Sequence, residues 1–151
     1  MSKKSPKIAA LIAHRQGGRW PAQYLGYFDC FNGGLFYEAH DVLEELWLAE
    51  GRTAPDYAFH KGLIQLAGAF VHLQKDRLRP AVALFNLAEA NLTRYPSPHH
   101  DSDLVALLAL LGEWRAAVEA GGFQVNPLGL RMRPRLRLPG EGVSDLGITG
   151  V

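Results

Sequence analysis

The 151 residues, 48% of them hydrophobic, suffice for one globular domain with a real core, and a formal net charge of +1 excludes a binder working through bulk charge. That charge is uneven, at +4 over residues 1–30, −5 over 31–121 and +2 over 122–151, so an acidic body carries two basic ends. The single cysteine, Cys30, excludes an internal disulfide, and no run nears the roughly 20 apolar residues that cross a bilayer, so a cytoplasmic setting without a membrane partner is expected.

Residues 1–18 open Lys-rich, turn apolar at Ile8–Ala13 (too short for a signal-peptide core) and break at Gly17-Gly18. They read as an arm, frayed or ordered only on contact. Trp20-Pro21 begins the first helix, with Pro21 suited to a first turn and Tyr24, Leu25, Phe28 and Phe31 sharing an apolar face. Asn32-Gly33-Gly34 ends it, since glycine relieves the strain of a reversal and Asn can cap the next helix.

A second helix covers Leu35 to Glu50. Leu35, Phe36, Ala39, Val42, Leu43, Leu46 and Trp47 form a wide apolar arc, with Asp41 and Glu45 opposite in water. His40 falls inside the far edge of that arc, Glu44 about 40° further round, and Glu38 roughly 160° from His40 on the other edge. Gly51 to Pro55 form a loop, and Asp56 is the expected N-cap of a third helix, Tyr57 to Gln74. That helix is apolar around most of its circumference, which places it at the centre of a bundle. Its one polar stripe is Lys61, Gln65 and His72. Gly62 and Gly68 lower its helix propensity, and the usual return is close approach by another helix or a ligand.

Pro80 belongs in the first turn of a fourth helix that ends near Tyr95, with Ala81, Leu84, Phe85, Ala88 and Leu92 buried. After Pro96-Ser97-Pro98, Asp101 or Ser102 caps a fifth helix running to Ala120 and stopped at Gly121-Gly122. Beyond Phe123 the helical period is lost. Arg131, Arg133, Arg135 and Arg137 alternate with Met132, Pro134, Leu136 and Leu138, an extended segment with one basic and one apolar side. Pro134 argues against a central strand, so an arm laid along the bundle is expected. The fold reading is therefore all-α: a single-domain antiparallel bundle of about five helices over residues 20–121, with an N-terminal arm (1–19) and an extended Arg-rich C-terminal arm (122–151).

His40 and Glu44, at i and i+4, are placed to touch. A carboxylate against an imidazole raises its pKa, or fixes its tautomer and leaves the other nitrogen for a ligand or metal. If the Lys61–Gln65–His72 stripe packs beside that edge, His40, Glu44 and His72 converge with Gln65 as a divalent-metal set. The spacing matches neither the Glu-x-x-His pairs of di-iron bundles nor the His-Glu-x-x-His of zinc proteases. The plainer readings are a buried His40–Glu44 packing pair and a solvent-facing stripe on the third helix. Trp47 reads as core, His60 as surface or a helix-cap contact, His99 and His100 as solvated loop residues, and Cys30 as a small core residue. The Arg131–Arg137 run carries a phosphate-gripping alternative, but it lacks the interleaved aromatics that stack on bases.

Phe31-Asn32-x-Gly34-x-Phe36-x-Glu38-Ala39-His40, then Leu43-Glu44-Glu45-x-Trp47, and further on Gly62-Leu63-Ile64-Gln65-Leu66-Ala67 with His72, resembles the uncharacterised helical family catalogued as domain of unknown function 309. The resemblance covers about residues 20–95. It implies an all-α bundle and brings no established activity. It marks Glu38, His40, Glu44, Trp47, Gln65 and His72 as the family's polar and aromatic set. Lys61 stands where the pattern has Gln, and Asp76–Pro80 replaces its Gly-Asn turn.

Three functions are compatible with these residues. A non-enzymatic binding or interaction domain, the favoured reading, predicts His40 paired with Glu44 and no open cavity. A metal-assisted, hydrolase-like enzyme predicts His40, Glu44 and His72 around one ion, with Gln65 orienting water or substrate. A phosphate or nucleic-acid binder would use the basic ends. So apolar a chain with a trailing arm is also suited to form a homo-oligomer.

Overall fold

The computed structural model describes residues 5–141. The Lys-rich start (1–4) and the tail 142–151 lie outside the described residues. Among those described there are six α-helices and no strand: α1 (Ser5–Ile12), α2 (Ala22–Asn32), α3 (Phe36–Glu50), α4 (Tyr57–Gln74), α5 (Leu78–Leu92) and α6 (Leu104–Ala120), with 3₁₀ turns at Ala13–Arg15 and Pro127–Gly129. The chain is an all-α bundle. Neighbours in sequence are neighbours in space, because the short loops turn each helix back along the last.

The apolar circumference of α4 puts it at the centre. Eleven of its 18 residues are buried. Phe70 meets Phe31 of α2, Phe36 of α3, Phe85 of α5 and Trp114 of α6 at ring separations between 5.1 and 5.4 Å. Edge-on and offset packing of this kind adds to simple burial and ties four helices to one residue. Gly62 supplies the close approach its sequence position suggests. A Cβ there would lie 2.7 Å from Leu92 Cγ, so α5 crosses α4 over bare backbone.

The N-terminal segment, expected as an arm either frayed or ordered only on contact, is ordered against the bundle. Residues 5–12 form α1, which buries Ile8 and Ile12 against the bundle. Its seat is Gly26 on α2, where any Cβ would run into Ile12 Cγ2. Two isoleucines four apart give a short helix one apolar line, enough to dock it but too little to stand out from sequence. Asp41 differs as well, being buried instead of lying in water.

The cap of α6 is also corrected. Asp103, not Asp101 or Ser102, accepts the Ala106 N–H, and Ser97 Oγ accepts from the Leu104 and Val105 N–H groups. Asp101 is engaged elsewhere, taking the Trp20 Nε1–H at 3.0 Å. The expected extended arm lies along the bundle with Pro134 and Leu136 inward and the arginines outward. Asn32 clamps it: its Nδ2 donates to Leu136 O at 2.9 Å and its Oδ1 accepts Leu136 N–H at 2.7 Å. The arginines mostly meet acids, Arg131 with Glu113, Arg135 with Glu141 and Arg137 with Asp103.

Candidate functional site

Helical periodicity sets His40 on the edge of α3 that faces α4, and Gln65 and His72 on the facing stripe of α4. Between them opens a cleft of about 210 Å³ lined by Tyr37, His40, Ile64, Gln65, Gly68, Val71, His72 and, from α5, Leu84. The walls are mainly apolar, with three polar side chains. Gly68 keeps the floor low. A Cβ there would meet only Leu84 Cδ1, at 3.2 Å.

Each polar wall residue has a defined hydrogen-bonding state. His40 Nδ1 lies 3.3 Å from Asp41 Oδ1; in the tautomer that donates Nδ1–H to this carboxylate, Nε2 is the ring's acceptor. Asn91 Nδ2 donates to Gln65 Oε1 at 2.8 Å, which orients the amide and leaves its NH₂ as the free donor. His72 Nδ1 is buried without a hydrogen-bond partner. Burial, then the nearby Arg77 and Lys75 charges, push the His72 pKa below its ordinary value, so the ring enters the cleft neutral.

The expected metal triad does not assemble. Ligand atoms of His40 and Glu44 come within 4.8 Å of one another, but their third neighbour is Asp41, and His72 stands apart across the cleft. The expectation of no open cavity is corrected, since His40 fronts an open cleft. Its ring lies 3.3 Å from Asp41 Oδ1, with Glu44 in the same group of carboxylates.

The other predicted residues sit outside the cleft. Glu38 pairs with Lys7 at 3.1 Å on the surface and ties α1 to α3. Trp47 is half-buried; its Nε1 donates to Tyr57 O at 3.1 Å and its ring lies 5.0 Å from that of Tyr57, closing the α3–α4 loop. Lys61 sits over the Tyr57 ring at 5.8 Å. Cys30 is buried core, and burial lifts its thiol to about 11.

A second polar cluster was not legible as a site. Asp56, expected to cap α4, makes no side-chain cap. Its two carboxylate oxygens instead accept Nε2–H from His99 at 2.9 Å and from His100 at 2.5 Å. Burial works to raise the Asp56 pKa, but these two donations and the rings' charge outweigh it and hold the carboxyl below its usual range. His60, expected at the surface, is 3% exposed one turn further along α4. Its Nδ1 is 3.0 Å from Glu50 Oε1, near enough for attraction but misaligned for a hydrogen bond. The signal available in sequence was the adjacent His99-His100 pair alone.

Residues 24–84 match the family described as Domain of unknown function (DUF309). No curated protein and no solved structure matches the chain. The matched segment contains every residue that lines the cleft, whereas His99 and His100 lie beyond it.

Proposed function

We propose that the chain is a small non-enzymatic binding domain that holds a compact ligand in the α3–α4–α5 cleft. One observation carries this reading: His40, Gln65 and His72 surround an apolar hollow with hydrogen-bonding capacity that the protein itself leaves unfilled. Buried polar groups in folded proteins are nearly always paired, so the Gln65 amide and the His40 ring on the cleft wall invite a partner from a bound group. The volume of about 210 Å³ falls below the range of drug-sized pockets, roughly 300–1,000 Å³, so the occupant is small. Donor Gln65 and acceptor His40 Nε2 suit a head group such as an amide or a protonated acid, with an aliphatic or aromatic body against Ile64, Val71 and Leu84.

The same cleft counts against the metal-assisted alternative, because its three ligands do not meet. The phosphate alternative loses ground as well, since Arg131, Arg135 and Arg137 already face carboxylates. A cytoplasmic setting fits a lone buried thiol.

The test is a two-dimensional ¹H–¹⁵N NMR screen with small aryl and alkyl amides, headed by benzamide. Shifts confined to Tyr37, Gly68, Val71 and Leu84, and lost in Gln65→Leu and His72→Phe, support the reading. Probes that bind elsewhere, or bind both variants as tightly as wild type, overturn it.

A further inference from the structure

We infer that the chain carries a divalent transition-metal site made by Asp56, His99 and His100, separate from the cleft. Asp56 stands at the start of α4, and the two histidines come from the loop between α5 and α6. One ligand atom from each side chain lies within 4.8 Å of the other two. Two imidazoles and one carboxylate form a borderline-soft donor set, suited to zinc, cobalt or ferrous iron and poor for calcium or magnesium. With three protein ligands, at least one coordination position stays open to water.

The geometry is near to what an ion requires. At metal–ligand bonds of about 2.0–2.2 Å and tetrahedral angles, donor atoms stand roughly 3.4 Å apart. Here His99 Nε2 and His100 Nε2 are 2.9 and 2.5 Å from the carboxylate oxygens, so an opening below roughly 1 Å on each side admits the ion. Both Nε2 atoms already point at the shared carboxylate. Exchanging their protons for one cation keeps every donor engaged.

The loop is held for this arrangement from outside. His100 and Asp101 both adopt left-handed backbone, at φ 48° and 60°, a region uncommon for non-glycine residues in which His and Asp are the more frequent occupants. Tyr24 Oη donates to His100 O at 2.9 Å, the Trp20 ring packs on that of His100 at 4.6 Å, and Trp20 Nε1 holds Asp101. His60 is buried within electrostatic reach of Asp56 and His100, with its Nδ1 turned to Glu50 at 3.0 Å. Asp101, next to His100 in the chain, pairs with Arg19 at 3.3 Å.

The experiment uses the untagged full chain. Co²⁺ is titrated while its visible absorption is followed, and Zn²⁺ binding is measured by equilibrium dialysis with elemental analysis. One ion per chain is expected. Even outer-sphere partners of a bound metal contribute about 10–100-fold to affinity, so losing direct ligands in the His99→Ala/His100→Ala double variant should weaken binding by more than that. Asp56→Asn should weaken it at least roughly tenfold, and His14→Ala, at an exposed histidine outside both sites, should leave it unchanged. Long-range ¹H–¹⁵N spectra should move the Nε2 resonances of both rings on loading. Absence of a stoichiometric ion at micromolar free metal, unchanged binding in the double variant, or loss in His14→Ala would each overturn the site. If the double variant fails to fold by circular dichroism, the single variants His99→Gln and His100→Gln decide by the same criteria.

Discussion

Replacing Gly62 by alanine tests whether the α4–α5 contact is set by bare backbone, and whether that contact positions the cleft. The added methyl would lie 2.7 Å from Leu92 Cγ, 2.9 Å from Leu92 Cδ2 and 3.2 Å from Asn91 Cβ. Carbon atoms pack at about 3.5–4.0 Å, so α5 must retreat by several tenths of an ångström to about 1 Å. Asn91 Cβ is fixed to the backbone and the fully buried Leu92 has little room to change rotamer, which places the overpacking cost in the upper part of the usual 1–3 kcal/mol, about 2–3 kcal/mol. Removing a mid-helix glycine returns about 1 kcal/mol of helix propensity, for a net loss of about 1–2 kcal/mol. In a chain of this size that lowers Tm by about 2–8 °C, measurable by scanning calorimetry. Asn91 moves with α5, so its bond to Gln65 at 2.8 Å should weaken and the Gln65 amide resonances should broaden or shift. Gly68→Ala is the internal control: its methyl meets only the mobile Leu84 Cδ1 at 3.2 Å, so the propensity gain should dominate and Tm should hold or rise. A Gly62→Ala protein as stable as wild type, or a Gly68→Ala protein that loses as much, would refute this account of the crossing.

Asn32→Ala removes both bonds to Leu136 and leaves its backbone groups unpaired, at a cost of about 1–3 kcal/mol. Trypsin should then cut among Arg131–Arg137 markedly faster than in wild type, and an unchanged cleavage rate would contradict the clamp. His60 and His72 both have folded pKa values pushed below the ordinary 6.5, so the unfolded chain takes up protons first as pH falls. Stability measured in urea should be complete above that value and decline as pH drops through it, a decline that His60→Gln or His72→Gln makes shallower; a flat profile from pH 8 to 5 sinks the idea. Cys30, buried and lifted to about 11, should resist iodoacetamide at pH 8 until denaturant is added, and rapid labelling of the native chain would disprove its burial.

The helices were legible because their apolar residues recur at the helical period over long stretches. The third predicted helix, Tyr57 to Gln74, coincides with α4, whose core positions repeat through five turns. α1 was not legible because Ile8 and Ile12 alone carry its period. Its docking surface is a missing side chain, Gly26, on another helix. The helical period likewise assigns Asp41 to water, whereas it is buried with a carboxylate oxygen 3.3 Å from His40 Nδ1.

The two polar sites show where that kind of reading ends. His40, Gln65 and His72 lie on helices that pack directly, so knowing which edge of each helix a side chain occupies is almost enough to bring them together. Asp56 and His99 are 43 residues apart, and one of the two elements that carry them is a loop. Their meeting depends on backbone angles at His100 and Asp101 that no apolar period encodes, and on Trp20 and Tyr24 holding the loop from α2 and the turn before it. A site assembled this way exists only in the folded chain. An ion bound there must stabilise the native state by mass action, so added Zn²⁺ should raise Tm in wild type and leave it unmoved in the His99→Ala/His100→Ala protein. An equal rise in both would place the ion elsewhere, which keeps the metal inference exposed to refutation by stability alone.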